Sequence, residues 1–372
     1  MLPVLTLLLT LSLILIGIHY GTPLFYFGYL RKHVNDPWRL ETDIDLRPRA
    51  VVIVPAYNEE QMIASKLDDI ANQTYPRDHF EIIVTDDGSN DRTKPIASEW
   101  MAKHAEVKAT LRADGKHGGK MPMVRRVLAS LGADTDVVVL TDVDAYWNPE
   151  ALTNMSKYFG DKTVAAVTGS IQYSSGQGVF FEKNYRTLYN AVRIAESKLF
   201  ATPIFNGPFA ALRMRHIREY GLPEFEGIDD SALASYFALA GLRSIQVEDV
   251  KVVEPHRGSL WARKTRRANR LVLTFMRTKK SARRHGLYKR TAFEKIWRME
   301  WWLTLVNPWL LFTGAIVQAV LVPEGQLLAL LPLILGVAAL VYTPYRTWMT
   351  QQLYLAVGML RNLRTRDVTW RT

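Results

Sequence analysis

The segment VVVLTDVDA, residues 137–145, constrains the fold more than any other feature of the sequence. Its first four residues form a short, apolar and mostly β-branched run, which is typical of a fully buried central strand in an α/β sheet. Asp142 and Asp144 follow directly, at the carboxyl end of the predicted strand, where open α/β sheets bind ligands. Because they are two residues apart, both carboxylates can turn towards one hard divalent cation, which prefers oxygen ligands. A polar junction between strand and loop is the alternative, and this segment alone does not distinguish the two.

Strand-like and helix-like segments alternate on both sides of this run. Strands are predicted at residues 51–55, 81–85, 107–111 and 137–141, and helices at residues 60–72, 123–131 and 231–239. This succession is typical of a mostly parallel sheet with helices on both faces. The predicted fold class is therefore α/β.

Long uncharged stretches predict membrane segments near both ends of the sequence. Residues 1–30 carry no charged side chain, and about 20 apolar residues suffice to cross a bilayer. Arg31 and Lys32 follow at once, so the next domain is expected on the cytoplasmic side. Residues 303–322 and 327–345 are also uncharged and are separated by a short Pro-Glu-Gly break. They predict a transmembrane hairpin, with a buried helical hairpin of a soluble protein as the alternative.

One segment carries most of the positive charge. Between residues 256 and 298 there are 15 Lys or Arg and a single acid, Glu294, which gives +14 against a total of +11 for the chain. Beside membrane helices, such a stretch is expected to contact anionic lipid headgroups. Nucleic acid would also suit this charge, but no motif for recognising bases accompanies it, so nucleic acid is not predicted as a partner. Part of the charge could instead face a pyrophosphate in an active site.

Three acidic motifs besides the Asp142–Asp144 pair occur at predicted element ends. PAYNEE, residues 55–60, ends the first strand, and TDDGSND, residues 85–91, ends the second. Acids there can accept hydrogen bonds from a nucleobase N–H or a ribose hydroxyl. A helix junction capped by Asn58 and a tight acidic turn are the alternatives. The third motif, EGIDDS at residues 226–231, precedes a helix, where capping by Asp229 or Asp230 is the alternative to catalysis.

The order PAYNEE, DDGSND, Gly-Gly-Lys and Asp-x-Asp resembles the family 2 glycosyltransferases, which are inverting enzymes with a GT-A fold that use nucleotide sugars. The resemblance covers residues 51–270, and the flanking membrane segments resemble the cellulose-synthase-like and hyaluronan-synthase-like branch. It implies that Mg²⁺ or Mn²⁺ is held by Asp144 with Asp142. It also implies that Asp230 is the general base for the acceptor hydroxyl, which is a poor nucleophile without one.

The same resemblance implies the remaining contacts of the site. The implied nucleotide-binding residues are Pro55, Ala56, Tyr57, Glu59, Asp86 and Asp87. The implied contacts to the donor diphosphate or sugar are Lys120, Asp142, Arg266 and Arg267, and those to the acceptor are Gly207 and Asp229. For Lys120 a solvated loop lysine is the alternative, and for Gly207 an ordinary loop glycine.

The segment RKTRR, residues 263–267, departs from the polymerising members of this branch. Those members carry Gln-x-x-Arg-Trp, of which only Arg266 matches here. Arg267 replaces the Trp that stacks on the acceptor sugar in the family. Together with the small number of membrane segments, this departure favours addition of one sugar over polymer synthesis. The final TWRT, residues 369–372, resembles the tail of the branch.

These observations predict an N-terminal transmembrane helix (1–30), a cytoplasmic GT-A domain (48–256), basic amphipathic interfacial helices (257–300), a transmembrane hairpin (303–345) and an interfacial helix with a cytoplasmic tail (346–372). The expected function is transfer of a single hexose from a nucleotide sugar to a lipid-linked dolichyl or polyprenyl glycan. GDP-mannose is the first donor considered, followed by UDP-glucose and UDP-N-acetylglucosamine. A processive polysaccharide synthase and a membrane-tethered protein that binds anionic lipid or nucleic acid are the alternatives. No oligomeric state is predicted.

Overall fold

The computed structural model describes residues 2–113, 118–172, 179–225, 227–254 and 260–364. The strands are β1 (Ala50–Ala56), β2 (Phe80–Asp86), β3 (Ala109–Ala113), β4 (Val137–Leu140), β5 (Tyr146–Trp147), β6 (Val164–Gln172), β7 (Ala210–Arg213) and β8 (Arg243–Val253). The N-terminal helix is α1 (Leu2–Arg31), and the helices that alternate with the strands are α2 (Ile63–Ala71), α3 (Thr93–Lys103), α4 (Lys120–Ser130), α5 (Ala151–Ser156), α6 (Val179–Leu199), α7 (Met214–Tyr220) and α8 (Asp230–Leu239). They are followed by α9 (Leu260–Arg284), α10 (Phe293–Leu305), α11 (Asn307–Leu321), α12 (Leu330–Ala339) and α13 (Thr343–Arg364).

The strands of the described residues form one sheet in the order β3-β2-β1-β4-β7-β6-β8-β5. The first four strands are parallel neighbours, as predicted from the alternation of strands and helices. Beyond β4 the sheet becomes mixed, because β7 runs antiparallel to both β4 and β6. The predicted α/β class with a GT-A type of sheet is confirmed, and the parallel half carries the three motifs that follow strands β1, β2 and β4.

Helices cover both faces of this sheet, which is why its central strands are apolar throughout. Along β1, Val52 and Val54 pack on one face against α2, α3 and α5, whereas Val51 and Ile53 pack on the other against α4, α8 and α10. All four side chains are at most 3% exposed. The core therefore consists of two layers, one on each side of the sheet.

Two helices of the described part are long and apolar enough to cross a membrane, residues 3–31 and residues 293–321. The second joins α10 and α11 and contains the first arm of the predicted hairpin. Helices α1 and α11 pack closely at Gly314, where an added Cβ would lie 2.8 Å from Ile16 Cγ1 and 3.2 Å from the carbonyl oxygen of Ser12. A small residue at such a crossing lets two helix backbones approach.

The second arm of the predicted hairpin is not one straight helix. Residues 327–339 and 343–363 pass the span criterion only together, and they are bent by 107° at the break between them. Pro344 lies in the first turn of α13, where a residue without a backbone N–H is tolerated. The same residue cannot continue the hydrogen bonding of the preceding helix, which therefore ends before it. The described part of the predicted interfacial helix, which was expected from residue 346, lies within α13, which begins at Thr343. The predicted tail at 365–372 and the boundary at 256/257 lie outside the described residues.

Candidate active site

A cavity of about 630 Å³ opens at the carboxyl ends of β1 and β4. All of the predicted site residues except Asp86 line it: Pro55, Ala56, Tyr57, Glu59, Asp87, Lys120, Asp142, Asp144, Gly207, Asp229, Asp230, Arg266 and Arg267. Carboxyl ends of adjacent parallel strands meet at one edge of a sheet, which explains why motifs far apart in sequence converge here.

The loops that follow β1 and β2 hold each other through hydrogen bonds. The backbone N–H of Asn58 donates to Ser89 Oγ at 3.0 Å, and its side-chain oxygen accepts from Asn90 N at 2.9 Å. Asn58 has φ +54°, a left-handed conformation that asparagine tolerates better than most residues. Helix α2 begins only at Ile63, so the expected alternative of Asn58 as a helix cap is wrong. Its role is to hold the loop that places Tyr57 and Glu59 in the cavity.

The two acids at the end of β2 have different surroundings. Asp87 accepts hydrogen bonds from the N–H groups of Gly118 and Gly119, both at 2.8 Å, and lines the cavity. Asp86 is fully buried and accepts from Gly88 N at 3.1 Å and Ser89 N at 3.0 Å. The Asp86 carboxylate is therefore turned into its own tight turn and does not line the cavity. The expectation that it contacts the nucleotide is not supported by this placement.

Lys120 lies between Asp142, which the resemblance implies is a metal ligand, and Asp230, which it implies is the general base. Its Nζ is 2.9 Å from Asp142 Oδ1 and 3.6 Å from Asp230 Oδ2, and its side chain is 11% exposed. Burial acts to lower the pKa of Lys120, but the two carboxylates outweigh it and raise that pKa. Burial likewise opposes ionisation of Asp142, and Lys120 outweighs it, so the pKa of Asp142 is lowered. The alternative of a solvated loop lysine does not describe Lys120. Residues 114–117 of the preceding loop lie outside the described residues.

Asp229 and Asp230, at the start of α8, both line the cavity, but only Asp229 caps the helix. Asp229 is the N-cap, and its Oδ1 accepts from Ala232 N at 2.8 Å and from Thr274 Oγ1 at 3.0 Å. Burial and the neighbouring Asp230 raise the pKa of Asp229. Asp230 is the first residue of the helix, its side chain is 13% exposed, and among the described residues no hydrogen-bond donor reaches its Oδ1. Because Asp229 satisfies the helix end, the carboxylate of Asp230 is left to face the cavity.

Gly207 permits this convergence of carboxylates. A Cβ built on Gly207 would overlap Oδ2 of Asp230 and would lie 3.5 Å from Oδ2 of Asp142. The next carbonyl, that of Pro208, accepts hydrogen bonds from Thr141 Oγ1 at 2.9 Å and from the Trp147 indole at 3.0 Å. The turn at Gly207 is thereby fixed to both sides of the segment that carries Asp142 and Asp144. Gly207 is therefore more than an ordinary loop glycine.

A buried lysine that sequence reasoning missed supports the same segment from behind. Lys66 is 0% exposed, and its Nζ donates to the carbonyl oxygen of Ala145 at 2.5 Å and to Asp69 at 3.0 Å. It also lies 3.9 Å from the ring centroid of Trp147, whose backbone N–H donates to Asp69 Oδ1 at 3.1 Å. Burial lowers the pKa of Lys66 to about 8, against the opposing effect of Asp69. Its position in the periodic helix 60–72 gave no signal, since a lysine there is normally solvated.

The side chains available for a metal are few and consist of carboxylates. Within the described ranges no group of three or more His, Asp or Glu forms a metal cage. Asp142 and Asp144 both line the cavity beside the space available to a donor. Mg²⁺ and Mn²⁺ are commonly held by one or two carboxylates, with substrate phosphates and water as the other ligands. The carboxylates of Asp142 and Asp144 therefore fit a divalent cation that binds together with a diphosphate.

Helix α9 supplies the basic wall of the cavity. Arg266 and Arg267 line it as predicted, and Arg267 pairs with Glu254 at 2.6 Å. Arg270, which the sequence analysis missed, also lines the cavity; it helps Lys120 to lower the pKa of Asp142 and partly opposes the rise in the pKa of Asp229. It lies four residues after Arg266, so the helical period of this basic stretch is the signal that could have found it.

The cavity continues from the carboxylates towards the helices that include the candidate membrane spans. This inner part is lined by side chains of α6, β8, α10 and α13, namely Tyr189, Asn190, Arg193, Gln246, Glu300, Leu303, Thr304, Trp348, Gln351 and Gln352. Amide and aromatic side chains predominate, with one buried Arg193 between Glu196 and Glu300 at 3.0 and 2.8 Å. Sequence reasoning found none of these residues. Polar residues inside otherwise apolar helices were the available signal.

Comparisons with known proteins agree with this architecture. The family model described as glycosyl transferase family 2 matches residues 51–221. The beta-monoglucosyldiacylglycerol synthase of Synechocystis is 31% identical over 120 residues, which are 32% of this chain and 25% of that protein. The hyaluronan synthase of Streptococcus pyogenes is 25% identical over 203 residues, 50% of this chain and 48% of that protein. The chain thus spans about a quarter to a half of these two curated relatives.

A solved structure is similar over nearly the whole chain. It is a mannosyltransferase from Pyrobaculum calidifontis in complex with GDP-Man and Mn²⁺, 36% identical, with a TM-score of 0.86. The match covers 97% of this chain and 100% of that one. Since motif order, sheet and full-length similarity agree, the chain belongs to glycosyl transferase family 2.

Proposed function

We propose that this chain is a membrane-bound inverting hexosyltransferase that moves one hexose from a nucleotide sugar to a hydroxyl of a lipid-linked glycan. One observation carries the proposal. The carboxylate of Asp230, which has no hydrogen-bond donor on Oδ1 among the described residues, shares a cavity with the Asp142–Asp144 pair and with the loops after β1 and β2. A base, a place for a divalent cation and a place for a nucleotide thus face one space.

The proposed reaction is a single displacement. The acceptor O–H transfers its proton to Asp230, and its oxygen forms a bond to the anomeric carbon from the face opposite the diphosphate. The bond between that carbon and the phosphate oxygen breaks, and the nucleoside diphosphate leaves with the electron pair, so the configuration inverts. A divalent cation held by Asp142 and Asp144 would stabilise the negative charge that develops on the leaving group.

The basic residues act on the same leaving group. Lys120 Nζ lies within ion-pair distance of both Asp142 and Asp230, and its ammonium would attract a diphosphate bound in the same cavity. Arg266 and Arg267 lie on the opposite wall, on α9. A guanidinium group can donate two parallel hydrogen bonds to phosphate oxygens, and it stabilises negative charge most strongly in a site that excludes water.

The acceptor is proposed to come from the membrane. The cavity reaches from Asp230 to Trp348 and Leu303, on helices α13 and α10, of which α10 begins a candidate membrane span. A lipid-linked glycan, such as a dolichyl or polyprenyl one, could therefore present its sugar to Asp230 while its lipid remains in the bilayer. Arg31 ends α1 and Lys32 follows it, and this positive charge supports the proposal that the catalytic domain lies on the cytoplasmic side, next to anionic headgroups.

Transfer assays with the full chain in detergent test the roles of the carboxylates. Asp230→Asn should lower transfer by about 10²–10⁴-fold, while thermal stabilisation by donor and Mn²⁺ persists. Asp134→Asn, a change at a carboxylate that is 68% exposed, is the matched control and should leave transfer unchanged. An active Asp230→Asn enzyme would remove Asp230 as the base. Asp144→Ala should lose metal-dependent donor binding, and donor affinity that is the same in EDTA would exclude the metal site.

A donor panel tests which nucleotide sugar is used. GDP-mannose is proposed first, because the solved relative that matches over its full length is described with GDP-Man and Mn²⁺. In a thermal-shift screen with Mn²⁺, the true donor should raise the melting temperature most, since stabilisation increases with occupancy. A larger shift with UDP-glucose or UDP-N-acetylglucosamine would replace GDP-mannose.

A processive polysaccharide synthase is the second candidate, favoured by the similarity to hyaluronan synthase over half of the chain. The replacement by Arg267 of the family's acceptor-stacking Trp favours single addition instead. The length of radiolabelled product distinguishes the two. One added residue per acceptor is expected, and a ladder of long products would select the synthase.

A further inference from the structure

A second groove lies between α9 and α10, on the outside of the catalytic domain. It has a volume of about 300 Å³ and shares no lining residue with the active-site cavity. Its lining consists of Phe275, Met276, Lys279, Lys280 and Arg283 from α9 and of Trp297, Arg298 and Trp301 from α10. The first half of α9 thus faces the active site, and its second half faces this groove.

The groove has a positive rim that its own surroundings do not neutralise. Lys279 pairs with Glu294 at 2.6 Å. In the described part of the chain, no carboxylate lies within ion-pair distance of Lys280, Arg283 or Arg298, and all three are exposed. Three uncompensated cations around one small groove repel each other, and a bound anion would relieve that repulsion.

The floor of the same groove is apolar. Phe275 and Trp297 are both 2% exposed, and their rings pack with centroids 4.8 Å apart and planes tilted by 48°. Met276 and Trp301 are 54% and 39% exposed at its edge. A cationic rim above an apolar, aromatic floor suits a ligand that is itself amphipathic, with a phosphate at one end and hydrocarbon at the other.

The position of the groove along the candidate membrane span fits such a ligand. The span comprises residues 293–321, which is 29 residues, whereas about 20 residues cross the hydrocarbon core. The excess falls at its beginning, because all of its charged side chains lie between Glu294 and Glu300. Arg298 and Trp301 therefore lie at the level of the lipid headgroups, where such side chains are enriched.

We propose that this groove binds the phosphate headgroup of one anionic phospholipid, with an acyl chain against Met276 and Trp301. The inference rests on the proposed membrane placement of the span, but it concerns a lipid other than the acceptor. Bound there, the headgroup joins α9 to α10 and restrains the helix whose first half carries Arg266 and Arg267. The lipid should consequently increase transfer as well as bind.

Native mass spectrometry of the full chain in a neutral detergent tests the site, with phosphatidylglycerol as the probe and phosphatidylcholine as the neutral control. One tightly retained phosphatidylglycerol is expected. Lys280→Gln combined with Arg298→Gln should weaken phosphatidylglycerol binding by at least roughly tenfold, since each Lys or Arg near a membrane surface contributes electrostatic attraction to anionic headgroups and the double variant loses two of them. The matched control is Arg284→Gln with Arg290→Gln, which removes the same charge from exposed positions outside the groove.

Three outcomes would overturn the proposal. Equal loss in both double variants would mean that the basic surface acts only through its overall charge. Glycerol phosphate that binds as tightly as the lipid would mean a site for a soluble phosphate. Phosphatidylcholine retained as well as phosphatidylglycerol would remove the role of the cations. Stabilisation by nucleotide sugar should be the same in both double variants, so failure of this proposal is distinguishable from failure of the proposed enzyme activity.

Discussion

Replacing Gly207 with Ala should separate catalysis from stability in this protein. Gly207 does not have a left-handed φ, so its backbone accepts an alanine. The added Cβ would overlap Oδ2 of Asp230, and real Cβ atoms essentially never approach another heavy atom closer than 3.0 Å. Since the overlapping atom is the far end of a side chain, the Asp230 carboxylate can turn away without movement of the main chain.

The structure sets the size of the effect. To reach an ordinary contact distance, the Asp230 carboxylate must move by roughly 1 Å, and a displacement of that size at a reacting group can lower the rate about 100-fold. This corresponds to about 2.7 kcal/mol in activation free energy. Folding stability should be unchanged or slightly higher, because replacing glycine by alanine reduces the entropy of the unfolded chain by about 0.4–1 kcal/mol.

The assay is steady-state transfer at saturating donor, together with thermal unfolding of the same samples. Gly28→Ala is the control, because nothing lies within 4 Å of the Cβ that it adds. Combining Gly207→Ala with Asp230→Asn should cost little more than Asp230→Asn alone, since both act on one group. Normal kcat in a stable Gly207→Ala enzyme, or full additivity in the double variant, would refute the reasoning.

Three further predictions concern buried charges. The pKa of Lys66 is about 8 in the folded protein and 10.5 in the unfolded chain, so the unfolded state binds more protons between these pH values and the free energy of unfolding should rise with pH there by on the order of 3 kcal/mol. Denaturant unfolding of Lys66→Met should lack this rise, and the same pH profile in the variant as in the wild type would contradict the prediction. Arg193→Met should lower the free energy of unfolding by about 3–5 kcal/mol, because it leaves the buried carboxylates of Glu196 and Glu300 without their cation. Glu300→Gln should lower it much less, because Arg193 keeps one carboxylate partner, and the reverse order of the two effects would contradict the charge assignment. Lys120→Met should lower transfer but strengthen Mn²⁺ binding, measured by calorimetry in the absence of nucleotide sugar, because Mn²⁺ no longer competes with the Lys120 ammonium for Asp142. Weaker Mn²⁺ binding in this variant would show that Lys120 supports the metal site instead.

Local patterns in the sequence were sufficient for the parallel half of the sheet. The apolar run before Asp142 and the β-branched run before Pro55 both form buried strands, and they pair in parallel as expected for a mostly parallel sheet. Once those strands are parallel, their carboxyl ends must lie at one edge, so the acids that follow them converge without further information. The same argument placed Asp87 and Asp144 in one cavity, while their chemical roles remain predictions.

Contacts between distant segments decided the rest. Local patterns do not distinguish Asp229 from Asp230, which were assigned different roles only through the family resemblance, and the N-cap geometry shows which of the two carboxylates caps the helix. The close approach of Gly207 to Asp230 depends on how the turn after β6 and α6 meets α8, and no periodic pattern records that.

The sequence by itself determined the strand and helix periods, the candidate membrane spans and the acids at strand ends, because each of these follows from hydrophobic burial over a few neighbouring residues. Only the tertiary structure decided the support that Lys66 gives to the segment after β4 and the inner part of the cavity at Arg193 and Trp348. These features join residues from separate helices, and their energies come from packing and electrostatic contacts between groups far apart in the chain. Such contacts leave no trace in local periodicity.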